Sequence, residues 1–196
     1  MMVGERKESS GKIWLLPEKL LTLHHLIKNK ERRKGWQTVL YFAFMDVKQT
    51  FSRLASLCAR REYCQHDMLE KMRQWGLSEE EQPKVMQQLI EGRYVDDERF
   101  TRAFVNDKVR YGKWGRRKIE QALWVKHIDE GIADNVLDEV DDEEYLAVLR
   151  PQVKQKLRTT RADGDYELRM KVMKWALSRG YTMDLIRQCL DVEDES

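Results

Sequence analysis

Residues 96–128 read DDERFTRAFVNDKVRYGKWGRRKIEQALWVKHI, and this stretch decides the fold. Asp96 is a typical N-cap residue, and the acidic residues after it lie where the helix dipole favours negative charge. Apolar side chains then recur at intervals of three and four, which predicts one helix that ends near Gly112 and a second helix beyond it. The apolar positions of the two helices are Phe100, Phe104, Val105, Ile119, Ala122 and Leu123.

The second half of this stretch is repeated on both sides along the chain. Ile119, Leu123, His127 and Ile128 match, in order and spacing, Met68, Met72, Gly76 and Leu77 before them and Val172, Ala176, Gly180 and Tyr181 after them. Each copy predicts a long helix, a second helix, a stop residue and a third helix. A three-helix unit this small buries little apolar surface alone, so neighbouring units must pack on one another.

We therefore predict an all-α fold of tandem three-helix repeats, in which three units form an elongated curved array with a variable N-terminal extension. Such arrays offer long concave surfaces and few deep pockets, which favours binding over catalysis. The predicted boundaries are 1–48 for the extension, 49–95, 96–141 and 142–192 for the three repeats, and 193–196 for an acidic tail. One hypothesis is that Met45 is the true start and that residues 1–44 lie upstream of the native protein.

The composition excludes several classes of protein. Of the 196 residues, 41% are hydrophobic and 36% charged, with three prolines and ten glycines, which is too few for a turn-rich all-β chain. No stretch approaches the roughly 18 consecutive apolar residues of a membrane span. The three cysteines cannot form a fully paired disulfide framework. We therefore expect free thiols, a cytoplasmic location and no membrane partner.

The net charge of +2 conceals strong segregation along the chain. Residues 99–128 hold nine basic and two acidic groups, residues 129–144 hold nine acidic groups and no basic one, and residues 150–179 hold nine basic and three acidic groups. Each run alone is typical of a solvated helix face. Two basic blocks around an acidic one set up local fields, which indicates a polyanion or an acidic protein groove as a partner.

The candidate contact residues come from the two basic blocks. Those near the Gly112 turn lie at a helix N-terminus, where backbone amides also favour anions. Trp114 has two interpretations, stacking on a base or packing under the turn. The full candidate set is Arg110, Lys113, Trp114, Arg116, Arg117, Lys118, Lys126, Arg150, Lys154, Lys156 and Arg158.

Catalytic and metal-binding patterns are weak. No Ser/His/Asp order, nucleophile elbow or Walker-type loop is found in the sequence. Cys58, Cys64 and His66 lie near one another, but a second ligand pair is missing, so a zinc site is not predicted. Asp96 and Asp97 are better explained by helix capping and contacts between units than as a catalytic carboxylate pair. We expect no enzyme activity, no catalytic residue, no metal and no cofactor.

The segments YVDDERF (94–100) and RYGKWGRRKI (110–119), followed by Leu123 and His127-Ile128, closely resemble the RecX family of recombinase regulators. The family signature is a Leu- or Val-Asp-Asp-x-Arg-Phe segment, a Gly-x-x-Gly turn, a basic pair and an apolar ladder that ends in Lys-Gly-Ile. Further matches are the segments ARRE (59–62) and LSRGY (177–181). The resemblance covers about residues 50–192. It departs from the family at Cys64, where serine is usual, and at His127, where glycine is usual.

The resemblance implies a function. RecX-like proteins bind the RecA recombinase and its filament on single-stranded DNA, lie along the filament groove, and inhibit strand exchange, ATP hydrolysis and RecA-stimulated repressor cleavage. The chain is thereby expected to regulate DNA recombination, repair and the SOS response as a cytoplasmic monomer without a cofactor. Some members also bind DNA directly.

Two other readings stay open. One is a helical DNA-binding protein that acts without a recombinase partner. Residues 112–115 match the Gly-x-x-Gly loop of KH domains, but the strands that a KH domain needs are not predicted. The other is a purely structural helical-repeat scaffold.

Overall fold

The computed structural model describes residues 46–194, and of residues 192–194 only the backbone. The expectations for residues 1–45, including the proposed start at Met45, lie outside the described residues, as do residues 195 and 196 of the predicted acidic tail. The predicted boundaries between the units remain predictions.

Residues 46–194 form nine α-helices, and no strand occurs among them. The helices are α1 (Val47–Cys58), α2 (Gln65–Gln74), α3 (Gln82–Glu91), α4 (Asp97–Arg110), α5 (Arg116–Val125), α6 (Glu130–Asp138), α7 (Asp142–Thr159), α8 (Asp165–Ser178) and α9 (Met183–Asp194). They fall into three consecutive three-helix units, which confirms the predicted all-α fold of tandem helical repeats. None of these helices is long and apolar enough to cross a membrane.

The helix ends follow from local sequence. Asp96 accepts a hydrogen bond from the Arg99 amide at 2.9 Å, as an N-cap should. Gly180 follows α8 with φ of +90°, in the left-handed region that favours glycine. His127 takes the same role after α5 with φ of +54°. After α4, the left-handed residue is Lys113 rather than Gly112.

The helices bury two hydrophobic clusters. Most buried apolar residues of the first unit form one cluster, whereas the second and third units share one continuous cluster that also includes Cys64 of the first unit. Among the fully buried side chains, Leu54, Met68, Met72, Val85 and Leu89 belong to the first cluster, and Ile119, Leu123, Leu137, Leu149 and Ile186 to the shared one. The second and third units are therefore joined by apolar packing, which is the strongest type of contact between repeats.

All three cysteines are free thiols, as the sequence predicts. Burial raises the pKa of Cys64 and of Cys189 from the ordinary 9.0 to about 11, and it also raises the pKa of the half-buried Cys58. At neutral pH these thiols are protonated, and the thiolate is the reactive form.

We expect Cys64 and Cys189 to resist alkylation in the folded protein. N-ethylmaleimide at pH 8 should modify both at least about 10-fold more slowly than in urea, measured by mass spectrometry of the peptides. Because their folded pKa values exceed the ordinary value, the stabilising contribution of the two buried thiols is present below pH 9 and is lost as pH rises towards 11. Equal alkylation rates in buffer and urea would contradict the burial of these side chains.

Candidate interaction surface

The glycine turn of the second unit is fixed to the third unit through backbone contacts. The Gly115 amide donates a hydrogen bond to the Arg179 carbonyl at 2.9 Å, and the Arg117 amide donates one to the Gly180 carbonyl at 3.1 Å. A Cβ atom added at Gly115 would lie 2.3 Å from the Tyr181 nitrogen. Since this is closer than non-bonded atoms pack, the second glycine of the Gly-x-x-Gly turn is required by a joint between units.

The first and second units meet at the corresponding place in the repeat. Cys64, which precedes α2 as Gly115 precedes α5, is fully buried, and its Sγ lies 3.9 Å from the carbonyl oxygen of Lys126. The imidazole rings of His66 and His127 have centroids 4.4 Å apart. Both departures from the RecX pattern, Cys64 and His127, therefore lie in this joint.

Polar contacts complete the joint between the first two units. Asp97 accepts hydrogen bonds from the Gln65 amide at 2.8 Å and from its side chain at 3.0 Å. Burial raises the pKa of Asp97, although these hydrogen bonds oppose the rise. The Lys126 ammonium lies 2.9 Å from the Asp67 carboxylate. The prediction that Asp96 and Asp97 serve capping and inter-unit contacts is confirmed.

Replacing Asp97 by alanine should lower the free energy of unfolding by about 1–2 kcal/mol, because it leaves the first turn of α2 without its acceptor. Urea denaturation measures the loss, and amide exchange should rise first around Gln65. Asp107→Ala is the matched control, since the Asp107 carboxylate is exposed and, within residues 46–191, pairs with Lys108 alone. Its expected cost is below about 0.5 kcal/mol. Equal costs for the two variants would contradict a capping role for Asp97.

Trp114 packs rather than projecting from the turn. Its indole is partly buried against the shared core. Two ammonium groups lie near its ring, Lys118 Nζ at 4.6 Å and Lys108 Nζ at 5.4 Å from the centroid. Such cation–π contacts hold positive charge beside an aromatic surface.

Several predicted contact residues are engaged in ion pairs within the chain. The Arg116 guanidinium lies 2.8 Å from Glu120 and 2.7 Å from Asp138, so it ties α5 to α6. Arg150 lies 3.3 Å from Glu143, Arg110 3.9 Å from Glu144, and Lys126 pairs with Asp67 as described. The charge of these four cations is therefore partly neutralised by carboxylates of the same chain.

The same contacts account for much of the acidic run 129–144. Asp129 caps α6 by accepting from the Gly131 amide at 3.0 Å, and Glu139 pairs with Arg102. Together with the partners of Arg110, Arg116 and Arg150, these carboxylates balance the basic blocks within the molecule. The alternation of charge along the sequence thus serves contacts between helices.

Other candidates make no ion pair with a carboxylate of residues 46–191. They are Lys113, Arg117, Lys118, Lys156 and Arg158. The charge of these five side chains is available to an anionic partner.

Two concave surfaces hold four of the candidate cations, Lys113, Lys118, Lys126 and Lys156. The aromatic groove, between the first two units, has a volume of 560 Å³ and is lined by His66, Asp67, Phe104, Lys108, Trp114, Lys118, Gln121, Ala122, Val125 and Lys126. The basic cleft, between the second and third units, has a volume of 280 Å³ and is lined by Lys113, Gln152, Gln155, Lys156, Thr159, Trp175 and Arg179. The candidates Arg110, Arg116, Arg117, Arg150, Lys154 and Arg158 line neither surface.

Sequence reasoning missed three residues of these surfaces, Lys108, Trp175 and Arg179. Lys108 Nζ lies 5.0 Å from the Phe104 ring centroid, and its spacing of four from Phe104 on a helix is a signal that could have found it. Arg179 lies directly before the stop residue Gly180, in the segment LSRGY (177–181). This segment matches the RecX family but does not by itself indicate a contact residue. No local signal brings Trp175 to the Gly112 turn.

Comparison with known proteins gives matches along most of the described chain. Residues 96–137 match the profile described as RecX, second three-helix domain, and residues 142–190 that of the third three-helix domain. Regulatory protein RecX of Acinetobacter baylyi is 28% identical over 141 residues, which cover 71% of this chain and 86% of the relative. Regulatory protein RecX of Chromobacterium violaceum is 27% identical over 145 residues, 74% of this chain and 91% of the relative.

Solved structures share the fold. The crystal structure of RecX from Lactobacillus salivarius superposes with a TM-score of 0.69 at 16% identity and covers 76% of this chain and 97% of its own. Fold and relatives together define a helical-repeat protein of a regulatory class. The chain belongs to the RecX family.

Proposed function

We propose that this chain binds the RecA recombinase and its filament on single-stranded DNA, and that it acts in the cytoplasm without catalysis to inhibit strand exchange and ATP hydrolysis. The observation that carries the proposal is that the chain belongs to a family whose named relatives are regulatory proteins. The match to this family includes its second and third three-helix domains. Unpaired cations on the second and third units suit an anionic polymer such as a nucleoprotein filament.

The test is the ATPase rate of RecA on single-stranded DNA with increasing amounts of the purified chain. Inhibition at sub-stoichiometric protein supports the proposal. Equally strong DNA binding without RecA, a steep salt dependence and no change in ATPase rate would instead support the helical DNA-binding protein. If neither effect is observed, the chain is a structural scaffold and the proposal fails.

Reversing the charge of one exposed arginine tests whether that residue contacts the partner. Arg117→Glu should weaken inhibition about 3- to 10-fold, because Arg117 is exposed and has no carboxylate partner among the described residues. Arg116 is unsuitable for this purpose, since reversing its charge would place it against Glu120 and Asp138 and disturb the contact between α5 and α6. An unchanged dose–response for Arg117→Glu would remove that residue from the interface.

A further inference from the structure

The aromatic groove between the first two units combines apolar side chains with positive charge. Its apolar lining residues are Phe104, Trp114, Ala122 and Val125. Three other lining residues are lysines and one, Asp67, is a carboxylate, so the charged groups of the lining are three positive against one negative. Val125 is 58% exposed, and Trp124 before it is 78% exposed. Open apolar surface beside an excess of one charge is typical of a protein-docking site rather than of a solvated helix face.

Two of the lysines lie beside the aromatic rings of the groove. Lys118 Nζ lies 4.6 Å and Lys108 Nζ 5.4 Å from the centroid of the Trp114 ring, and Lys108 Nζ also lies 5.0 Å from the Phe104 centroid. Lys118 pairs with no carboxylate of residues 46–191. An ammonium group in this position can bind a carboxylate while the ring packs against an apolar side chain next to it. The groove therefore presents both types of contact side by side.

The walls of the groove are held in place by the fold. The Trp114 amide donates a hydrogen bond to the Lys108 carbonyl at 3.0 Å, and the Trp114 indole packs partly against the shared core. Across the joint, the Lys126 ammonium lies 2.9 Å from the Asp67 carboxylate, which fixes α2 against the end of α5. The groove is therefore organised before a ligand binds, which lowers the cost of binding.

A second concave surface continues the aromatic groove. It has a volume of 420 Å³ and shares Asp67, Phe104, Lys108 and Lys126 with the groove. Its basic and acidic lining residues are equal in number, so the excess of positive charge is confined to the aromatic groove; they are Arg61, Lys108 and Lys126, and Glu62, Asp67 and Asp107. Two concave surfaces in a row suit an extended segment of polypeptide better than a compact small molecule.

The lining of the aromatic groove favours a protein segment over a nucleic acid. Ala122 and Val125 are aliphatic and offer no flat ring on which a base can stack. The Asp67 carboxylate would repel phosphate groups. A peptide, in contrast, supplies carboxylates for the lysines and an aromatic side chain for the apolar part of the groove.

We propose that the aromatic groove docks a short acidic segment of a partner protein. One aromatic side chain of the segment packs among Phe104, Trp114 and Val125, and the carboxylates beside it bind Lys108 and Lys118. This contact is additional to the proposed contact with the filament, and it needs neither recombinase nor nucleic acid. It assigns a role to Lys108 and to the exposed Val125.

The test measures, by anisotropy, binding of the full chain to a fluorescein-labelled peptide of about ten residues, in which aspartates and glutamates flank one phenylalanine. The double variant Lys118→Gln/Val125→Ser should bind this peptide about 10-fold more weakly, because it loses one ammonium group and one apolar contact. A peptide with alanine in place of the phenylalanine should bind the unaltered chain at least about 5-fold more weakly.

The matched control is Lys113→Gln/Tyr166→Ser. It removes one lysine without a carboxylate partner among residues 46–191 and one side chain that is 80% exposed, and neither residue lines the aromatic groove. Its affinity for the peptide should change less than about 2-fold. Circular dichroism melting accompanies each variant. Neither pair should lower the melting temperature, because Val125 and Tyr166 are mostly exposed and neither lysine pairs with a carboxylate of the described residues.

The proposal fails if the unaltered chain does not bind the phenylalanine peptide at concentrations up to about 1 mM, or if the alanine peptide binds equally well. Equal loss of affinity in the two double variants would also overturn it. So would an oligothymidylate of about 20 nucleotides that displaces the peptide and is equally sensitive to Lys118→Gln/Val125→Ser, because the groove would then be a nucleic-acid site. RecA is absent from this assay, so its result is independent of the ATPase test.

Discussion

Gly115→Ala should lower the free energy of unfolding by about 3 kcal/mol and the melting temperature by roughly 10 °C. The φ of −82° at Gly115 suits any residue, so the whole cost is steric. The added Cβ would lie 2.3 Å from the Tyr181 nitrogen and 2.4 Å from the carbonyl atoms of Gly180. These are backbone atoms, which cannot rotate away as a side chain can. The second and third units must therefore separate locally, and the hydrogen bond from Gly115 to Arg179 is lost.

The melting temperature by circular dichroism measures this effect, with Gly131→Ala as the matched control. Gly131 lies in the first turn of α6, and a Cβ there would meet only the Asp129 side chain, at 3.1 Å. Alanine is the better helix former by about 0.5–1 kcal/mol, so this variant should be neutral or slightly more stable. A Gly115→Ala protein that melts within about 2 °C of the unaltered chain would contradict the joint.

The second large effect concerns the two hydrophobic clusters. Leu89 in the first unit and Leu149 in the third are both fully buried, and truncating either to alanine should cost about 2–5 kcal/mol. The two variants should destabilise different parts of the molecule. Leu89→Ala removes packing only from the cluster of the first unit, whereas Leu149→Ala weakens the cluster that the second and third units share.

Amide hydrogen exchange followed by mass spectrometry distinguishes the two variants. Leu89→Ala should accelerate exchange in α1–α3 and leave α4–α9 protected, because Cys64 is the one buried residue of the first unit that belongs to the shared cluster, and hydrogen bonds and an ion pair supply the other main contacts described between the first two units. Leu149→Ala should accelerate exchange across α4–α9 together. If Leu89→Ala loosens all nine helices equally, the three units unfold as one and the division into two clusters has no energetic meaning.

Much of the fold follows from local sequence. Apolar spacing, the N-cap at Asp96 and the stop residue Gly180 predict helices and their ends, because these signals act within one or two turns of a helix. The repeat then predicts how many units follow one another, since its positions align without gaps around the second helix. Which residue of the turn adopts the left-handed conformation, Lys113 rather than Gly112, is a detail that backbone packing settles.

The sequence predicted the candidate contact residues only in part. Sequence alone placed positive charge near the Gly112 turn, but it treated Arg116, Lys126 and Lys113 alike. The structure separates them, because Arg116 and Lys126 form ion pairs with Asp138 and Asp67 from other helices, whereas Lys113 lines the basic cleft with Arg179 and Lys156. An ion pair requires atoms within about 4 Å, and only the packing of helices brings distant residues that close. The sequence by itself therefore determined that the chain is a string of helical units with basic blocks, and the tertiary structure decided which charges remain available to a partner.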